Sequence, residues 1–280
     1  MAGSDSPTPE ELKDQQRQGW ANIAAAWRKW APEMVAQGRA ATELILREAH
    51  VRPGQRVLDL ASGAGDPALT LAEAVAPDGH VTATDLTPEM LSGLAETARA
   101  RGLANVSTQP ADIEALPFPD AYFDVVTCRF GIMFCPDVGQ ACREIRRVLR
   151  PGGRAVLLVW GSSDQPFFAS TRGVVGRHMH LPTPPPGAPT PWRFAEEGSI
   201  STALREAGFG EVREQLHTVS WPFPGSPERA WTALREITGM EIPADILDKV
   251  GADVVAALGQ YYDGHQVDPT AQVIVASGVR

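Results

Sequence analysis

VLDLASGAGDPAL, from Val57 to Leu69, decides the fold of this chain when it is read with VTATDLTPEML, from Val81 to Leu91. Each stretch opens on an apolar run short enough to be a buried strand, and each passes into a helical pattern. The first hand-over is a turn of small residues. The second ends in an acid, Asp85. A glycine turn between strand and helix lets backbone approach a ligand closely, because glycine has no Cβ to obstruct it. An acid at the end of the next strand can accept two hydrogen bonds from a ribose diol. Together they describe a site for a nucleoside-containing ligand.

Two classes of ligand compete for such a site. Gly63-Ala64-Gly65-Asp66-Pro67-Ala68 satisfies the G-x-G-x-x-[GA] dinucleotide pattern, and Asp85 follows Gly65 by 20 residues. In that mode a pyrophosphate sits on the first N–H groups of the helix. Here Asp66 puts a carboxylate in that place and Pro67 deletes a donor. Two like unit charges about 4 Å apart, at an effective dielectric of about 20, repel by about 4 kcal/mol. S-adenosylmethionine (SAM) has a ribose, an adenine, an amino acid end and a sulfonium, but no phosphate, and meets no such conflict. A NAD(P)-dependent oxidoreductase is therefore the disfavoured alternative. A non-catalytic SAM-binding module stays open, since no single residue here must be catalytic.

The segments VLDLASGAG, ATDLTPEML, ADIEALPFPDAYFDVVTCRFGIMF and REIRRVLRPGGRAVLLVW follow one another between Gln55 and Trp160. Four motifs in this order resemble the class I SAM-dependent methyltransferases, above all the group that includes the ubiquinone and menaquinone biosynthesis methyltransferases. The resemblance implies a Rossmann-like α/β fold: a doubly wound, seven-stranded, mostly parallel sheet with N-terminal helices and a helical cap. It implies SAM as cofactor and S-adenosylhomocysteine as product. It implies Asp59, Ala61, Ser62, Gly63 and Gly65 around the amino acid end of SAM, and Asp85 on the ribose. Leu86 and Met90 would pack on the adenine, beside Ala111, Asp112 and Ile113, with Asp112 accepting from the N6 amino group or standing as an ordinary loop acid. The chain departs from the family pattern at Ala61, where the first glycine of the turn is common; a slight reshaping is expected there. Arg129 would face the methionine carboxylate or cap its strand. Trp27 belongs to a helical stripe with Trp20, Ile23, Ala24 and Trp30, which serves core packing, a lid over the methionine end, or both. Met133, Phe134 and Trp160 are core residues or acceptor contacts.

Along the chain, residues 1–18 read as a polar, frayed tail and 19–50 as an N-terminal helical lid whose second helix spans Val35 to His50. Residues 51–160 form the SAM-binding core. Its strands are expected at Gln55 to Leu60, His80 to Asp85, Val106 to Gln109, Phe123 to Cys128 and Ala155 to Trp160. Helices are expected at Pro67 to Val75, Pro88 to Arg101 with Thr87 as N-cap, and Val138 to Leu149, stopped by Pro151-Gly152-Gly153. Residues 161–194, with Pro182, Pro184, Pro185, Pro186, Pro189 and Pro191, read as a cap loop. Residues 195–280 complete the core with a helix at Ala195 to Ala207 and strands at Glu211 to Trp221 and Ala271 to Ser277. A helical cap insertion at 222–264 carries helices near Pro227 to Thr238 and Ala244 to Tyr261.

Lys+Arg 25 against Asp+Glu 34 gives a net charge of −9 with no basic stripe, which disfavours a nucleic acid partner. No apolar run is long enough to span a bilayer and no secretory signal opens the chain, so the expected setting is the cytoplasm. Cys128, Cys135 and Cys142 lack zinc-ligand spacing, and no metal is expected. Nothing in the pattern fixes an oligomeric state. The Trp, Phe and Pro content of the cap points to a small, largely apolar methyl acceptor. Holding such an acceptor in line with the methyl group supplies about 7–11 kcal/mol, and a base is needed only for an acceptor proton of high pKa. His178 and His180, in the cap, rank ahead of His217 and His265 as candidate catalytic bases.

Overall fold

The computed structural model describes residues 7–182, 184 and 188–280. The chain opens with α1 (Pro9–Lys29) and α2 (Ala31–Ala49). It continues through β1 (Arg56–Leu60), α3 (Ala68–Val75), β2 (His80–Asp85), α4 (Pro88–Ala100), β3 (Val106–Pro110) and β4 (Phe123–Arg129). A 3-10 turn at Ile132–Phe134 leads into α5 (Val138–Val148) and β5 (Leu149–Trp160). The cap segment holds α6 (Pro166–Ser170) and α7 (Arg172–Val175), followed by α8 (Ser199–Glu206) and β6 (Gly210–Ser220). Last come β7 (Phe223–Pro224), α9 (Pro227–Thr238), α10 (Leu247–Gly259), β8 (Gln266–Val267) and β9 (Thr270–Val279).

The seven-stranded sheet has the order β3-β2-β1-β4-β5-β9-β6, parallel except for β9, which runs antiparallel to both neighbours. Side chains on a strand alternate between faces. Leu58 and Leu60 of β1 therefore enter one core layer with Ile145 of α5 and Leu204 of α8, while Val57 enters the other with Ile45 of α2, Leu71 of α3 and Leu94 of α4. Burying each such aliphatic side chain contributes about 1.5–3 kcal/mol. A third cluster joins Trp30, Val175 of α7, Ala233 of α9 and Val254 of α10, and this builds the cap.

The fold matches the expected class, and several local expectations are corrected. The frayed tail gives way to helix from Pro9 onward. Thr8 caps it: its hydroxyl accepts from Glu11 N at 3.3 Å, and the Glu11 carboxylate accepts from Thr8 N at 2.7 Å. Residues 1–6, Pro185 and Pro186 lie outside the described residues. The cap loop at 161–194 is partly helical. The helix expected from Ala195 starts at Ser199, behind Gly198 at φ 87°. Pro151-Gly152-Gly153 lies within the extended β5, whose register against β4 shifts between Phe123 and Val125. Thr87 occupies the N-cap of α4 but makes no capping bond; its hydroxyl donates to Arg17 O of α1 at 3.5 Å.

Candidate active site

Strand order reverses between β1 and β4, and ligands in open α/β sheets bind in the crevice beyond the strand ends at such a point. The turn after β1 lies there. Gly65 has φ 129°, and a Cβ on it would stand 2.9 Å from Leu69, so only glycine fits. Ala61 keeps the left-handed conformation, φ 52°, at a cost of about 1–2 kcal/mol, so alanine strains the turn instead of reshaping it. A Cβ at Gly131 would lie 2.3 Å from the Ala61 Cβ, so the backbone after β4 packs directly on this turn.

Asp85, at the end of β2, faces the turn. Its Oδ2 accepts from Gly63 N and its Oδ1 from Thr87 N, each at 3.0 Å. Each carboxylate oxygen keeps a further lone pair, enough for a diol. Burial pushes the carboxyl up to about 6, against the pull of the backbone donors at Thr87, Gly63 and Leu86. Met90, against which a Gly63 Cβ would rest at 3.5 Å, lies on the same crevice.

Asp59 departs from expectation. It is fully buried beneath the turn and does not line the crevice. Its Oδ1 accepts from Thr127 Oγ1, its cross-strand neighbour, at 2.6 Å, while Oδ2 has no partner. Burial lifts this carboxyl to about 7. Asp59 therefore supports the turn from below instead of wrapping a ligand. Ala111 is also set back: its N–H donates to Asp85 O at 2.9 Å.

Arg129 resolves into a third role. Nη1 donates to Asp66 Oδ2 at 2.7 Å, Thr42 Oγ1 at 2.8 Å and Gly38 O at 3.3 Å, and Nη2 donates to Asp66 O at 2.7 Å. This ties α2, the β1 turn and the end of β4 together. It also corrects the charge argument: Asp66 is not a bare carboxylate, since Arg129 neutralises it. What still disfavours a pyrophosphate is the donor missing at Pro67 and a guanidinium already committed.

Lys13 of α1, absent from the sequence reading, closes the β3 end. Its ammonium pairs with Asp112 Oδ2 at 2.8 Å and Glu114 Oε2 at 2.7 Å. Burial opposes its charge, but the two carboxylates outweigh that and raise it above the ordinary lysine range. Asp112 Oδ1 accepts from Glu114 N at 2.8 Å.

These groups line one cavity of about 980 Å³, together with Ala61, Ser62, Gly63, Gly65, Leu86, Ile113 and, on the lid, Trp27. This volume stands at the upper end of the range for ligand pockets, about 300 to 1,000 Å³. Trp27 donates from Nε1 to Ile237 O of α9 at 2.9 Å, which docks the lid on the cap. Away from Asp85 the wall is aromatic. Phe130, at φ 59°, stacks on Trp160 with ring centroids 4.0 Å apart and planes 15° apart. Trp160 meets Trp221 at 4.9 Å and Phe168 at 5.1 Å, and Phe168 meets Trp192 at 5.5 Å. Phe134 lines the cavity against Trp20 at 5.5 Å, and Met133 lines it while 1% exposed. Phe168, Trp192, Trp221 and Arg172 of this wall were missed because no spacing rule links the cap to the strand ends.

The candidate bases stand elsewhere. Neither His178 nor His180 lines the cavity. His178 Nε2 pairs with Asp253 Oδ2 of α10 at 2.8 Å, and His180 is exposed. The three cysteines are buried and free; burial pushes Cys128 and Cys142 up to about 12 and Cys135 well above its ordinary value, which makes them inert packing groups. Among the described residues no helix is long and apolar enough to cross a membrane.

A doubly wound sheet with an antiparallel β9, a glycine turn after β1 and an acid ending β2 defines the class of SAM-dependent methyltransferases. The glycine cradle and the free lone pairs of Asp85 fit SAM. The chain belongs to the ubiE/COQ5 methyltransferase family, which residues 35–172 match. It is 41% identical over 189 residues to the demethylmenaquinone methyltransferase of Geobacillus kaustophilus, a match covering 63% of this chain and 80% of that protein. It is 47% identical over 109 residues to the ubiquinone/menaquinone biosynthesis C-methyltransferase UbiE of Serratia proteamaculans, across 39% of this chain and 43% of the relative, so that match spans less than half of either. The [4+2]-cyclase SpnF shares the fold, with a TM-score of 0.59 at 21% identity, across 98% of this chain and 97% of that one. The protein is a SAM-dependent methyltransferase of a small molecule.

Proposed function

We propose that the methyl acceptor is a small, planar, largely apolar ring compound, held between the aromatic wall and the β1 turn. The observation that carries this reading is the wall itself: Phe130, Trp160, Phe168, Trp192 and Trp221 border the same cavity as Asp85. Flat aromatic faces favour stacking or edge contact with a ring, worth about 0.5–1.5 kcal/mol per pair beyond area burial. The Geobacillus relative is named for demethylmenaquinone, a ring compound, and this supports the same class here.

In this reading Asp85 accepts from the ribose hydroxyls, Leu86 and Met90 flank the adenine, and Asp112 with Ile113 borders it. The β1 turn from Ala61 to Gly65 surrounds the amino acid end, and α1 closes the crevice through Lys13 at the adenine end, beside Asp112, and through Trp27, docked on the cap. When bound, SAM supplies an activated methyl carbon on a sulfonium. The chain then orients the acceptor and excludes water. No histidine lines the cavity, and Lys13 and Arg129 occupy three of its acids, Asp66, Asp112 and Glu114. Positioning of the acceptor in line with the methyl group therefore carries the rate, and Glu241 is the cavity acid that, among the described residues, neither a cation nor the ribose takes up.

The test is incubation of the protein and SAM with a panel of hydroquinones and naphthols, each with and without a ring carboxylate. It reads S-adenosylhomocysteine release together with the methylated product by mass. Matched release and product formation on ring acceptors supports the reading. S-adenosylhomocysteine binding without turnover across the panel would instead mark a non-catalytic SAM-binding module.

A further inference from the structure

We infer that Arg172 is the specificity-determining residue for a carboxylate carried by the methyl acceptor. This deepens the proposed function and rests on it.

Three cations line the cavity from the elements that build it: Lys13, Arg129 and Arg172. The first two are committed, Lys13 to Asp112 and Glu114 and Arg129 to Asp66 and Thr42. Arg172, at the start of α7, makes no side-chain hydrogen bond and no ion pair among the described residues. Glu241, the exposed acid on the same cavity, does not pair with it. Its guanidinium lies over the Trp192 ring, 4.9 Å from the centroid, and Trp192 in turn abuts Phe168 of the aromatic wall. Stacking holds the planar fork in place without occupying its N–H groups. Burial also pulls the guanidinium below its ordinary value, so the charge is partly stripped of water with no anion to compensate.

A partly desolvated, preorientated and unpaired guanidinium beside an aromatic slot is a receptor for a planar anion. Its parallel donors match a carboxylate in two-point geometry. Between the two common oxygen anions of ring compounds, a carboxylate is ionised at neutral pH while a simple phenol, titrating near about 10, is not. The acceptor class is therefore an aromatic carboxylic acid, with its ring on the wall and its carboxylate on Arg172.

The experiment titrates the S-adenosylhomocysteine-loaded protein with 1-hydroxy-2-naphthoate and with its uncharged amide by calorimetry. Wild type is expected to bind the acid at least about tenfold more tightly than the amide, the difference of one charge-assisted contact. Arg172→Met keeps the stem over Trp192 and should bring the two ligands within about threefold of each other, while Arg172→Lys restores part of the gap. S-adenosylhomocysteine affinity stays constant in all three proteins and verifies the fold. Equal binding of acid and amide by wild type, or a gap that survives Arg172→Met, overturns the inference. Binding of neither ligand to a protein that holds S-adenosylhomocysteine overturns it too, and leaves the methyltransferase assignment standing. Failure to bind S-adenosylhomocysteine strikes that assignment itself.

Discussion

Affinity for S-adenosylhomocysteine should fall in mild acid because of one side chain. Burial lifts the Asp85 carboxyl from an ordinary 3.8 to about 6, even though two backbone N–H groups donate to it at 3.0 Å. Ribose hydroxyls donate more strongly to the carboxylate than to the neutral carboxyl, which keeps acceptor capacity but has lost its charge and turns one oxygen into a donor. The bound state therefore prefers the ionised form, and below about pH 6 binding must release a proton. With a free-state value of about 6, roughly ten molecules in eleven are protonated at about pH 5. Apparent affinity is then about tenfold weaker at about pH 5 than on the plateau above about pH 7. Calorimetry in buffers of different ionisation enthalpy reads both the slope and the proton released. Asp85→Asn should flatten the profile and weaken plateau binding by about 1.5–3 kcal/mol, about ten- to a hundredfold. Asp59, lifted to about 7 but out of reach of the ligand, is controlled by Asp59→Asn, which should retain the slope. A flat wild-type profile, or a slope that persists in Asp85→Asn, refutes the role given to Asp85.

Three further outcomes are expected. The native state holds the Asp59 proton up to about pH 7 whereas the unfolded chain releases it near 3.8, so unliganded stability declines as pH rises through that window. Asp59→Asn should lessen the decline, leaving the part that Asp85 contributes up to about pH 6, and gain about 2 kcal/mol at about pH 8 in thermal or denaturant unfolding; a variant less stable there contradicts the assigned cost of ionisation. Lys13→Ala strands Glu114, whose side chain is 6% exposed, and should destabilise the docked α1 by about 2 kcal/mol, seen as faster proteolysis within α1 and faster dissociation of S-adenosylhomocysteine. Unchanged rates would mean that α1 is held by packing alone. His178→Ala and His180→Ala should each leave methyl transfer within about twofold of wild type, whereas removing a true general base costs about a hundredfold or more.

The sequence was most legible where local rules govern. The alternating strands and helices from Arg56 to Trp160 follow from buried apolar runs punctuated by glycine and proline, and their observed bounds depart little from expectation apart from the early start of β5. Asp85 was readable because its spacing from the glycine turn is fixed by one strand–helix–strand unit. Asp59 was misplaced for a related reason: strand alternation puts it on the face away from Leu58 and Leu60, and only the pairing with Thr127 reveals that it is buried under the turn. Long-range partners were not readable. Lys13 lies about a hundred residues from Asp112 and Glu114, and Arg129 meets Asp66 and Thr42 across three elements. The histidines of the cap looked chemical because they sit in a proline-rich segment, but α7 carries His178 toward Asp253 of α10 and leaves Arg172 on the cavity.

The most direct test of the account is a calorimetric titration of the purified protein with S-adenosylhomocysteine and, in parallel, with NADH. The site described here predicts one S-adenosylhomocysteine bound per chain with micromolar affinity and no heat from NADH. Binding of NADH without S-adenosylhomocysteine would contradict it, because a pyrophosphate would then have displaced the Arg129–Asp66 pair and found a donor where Pro67 offers none.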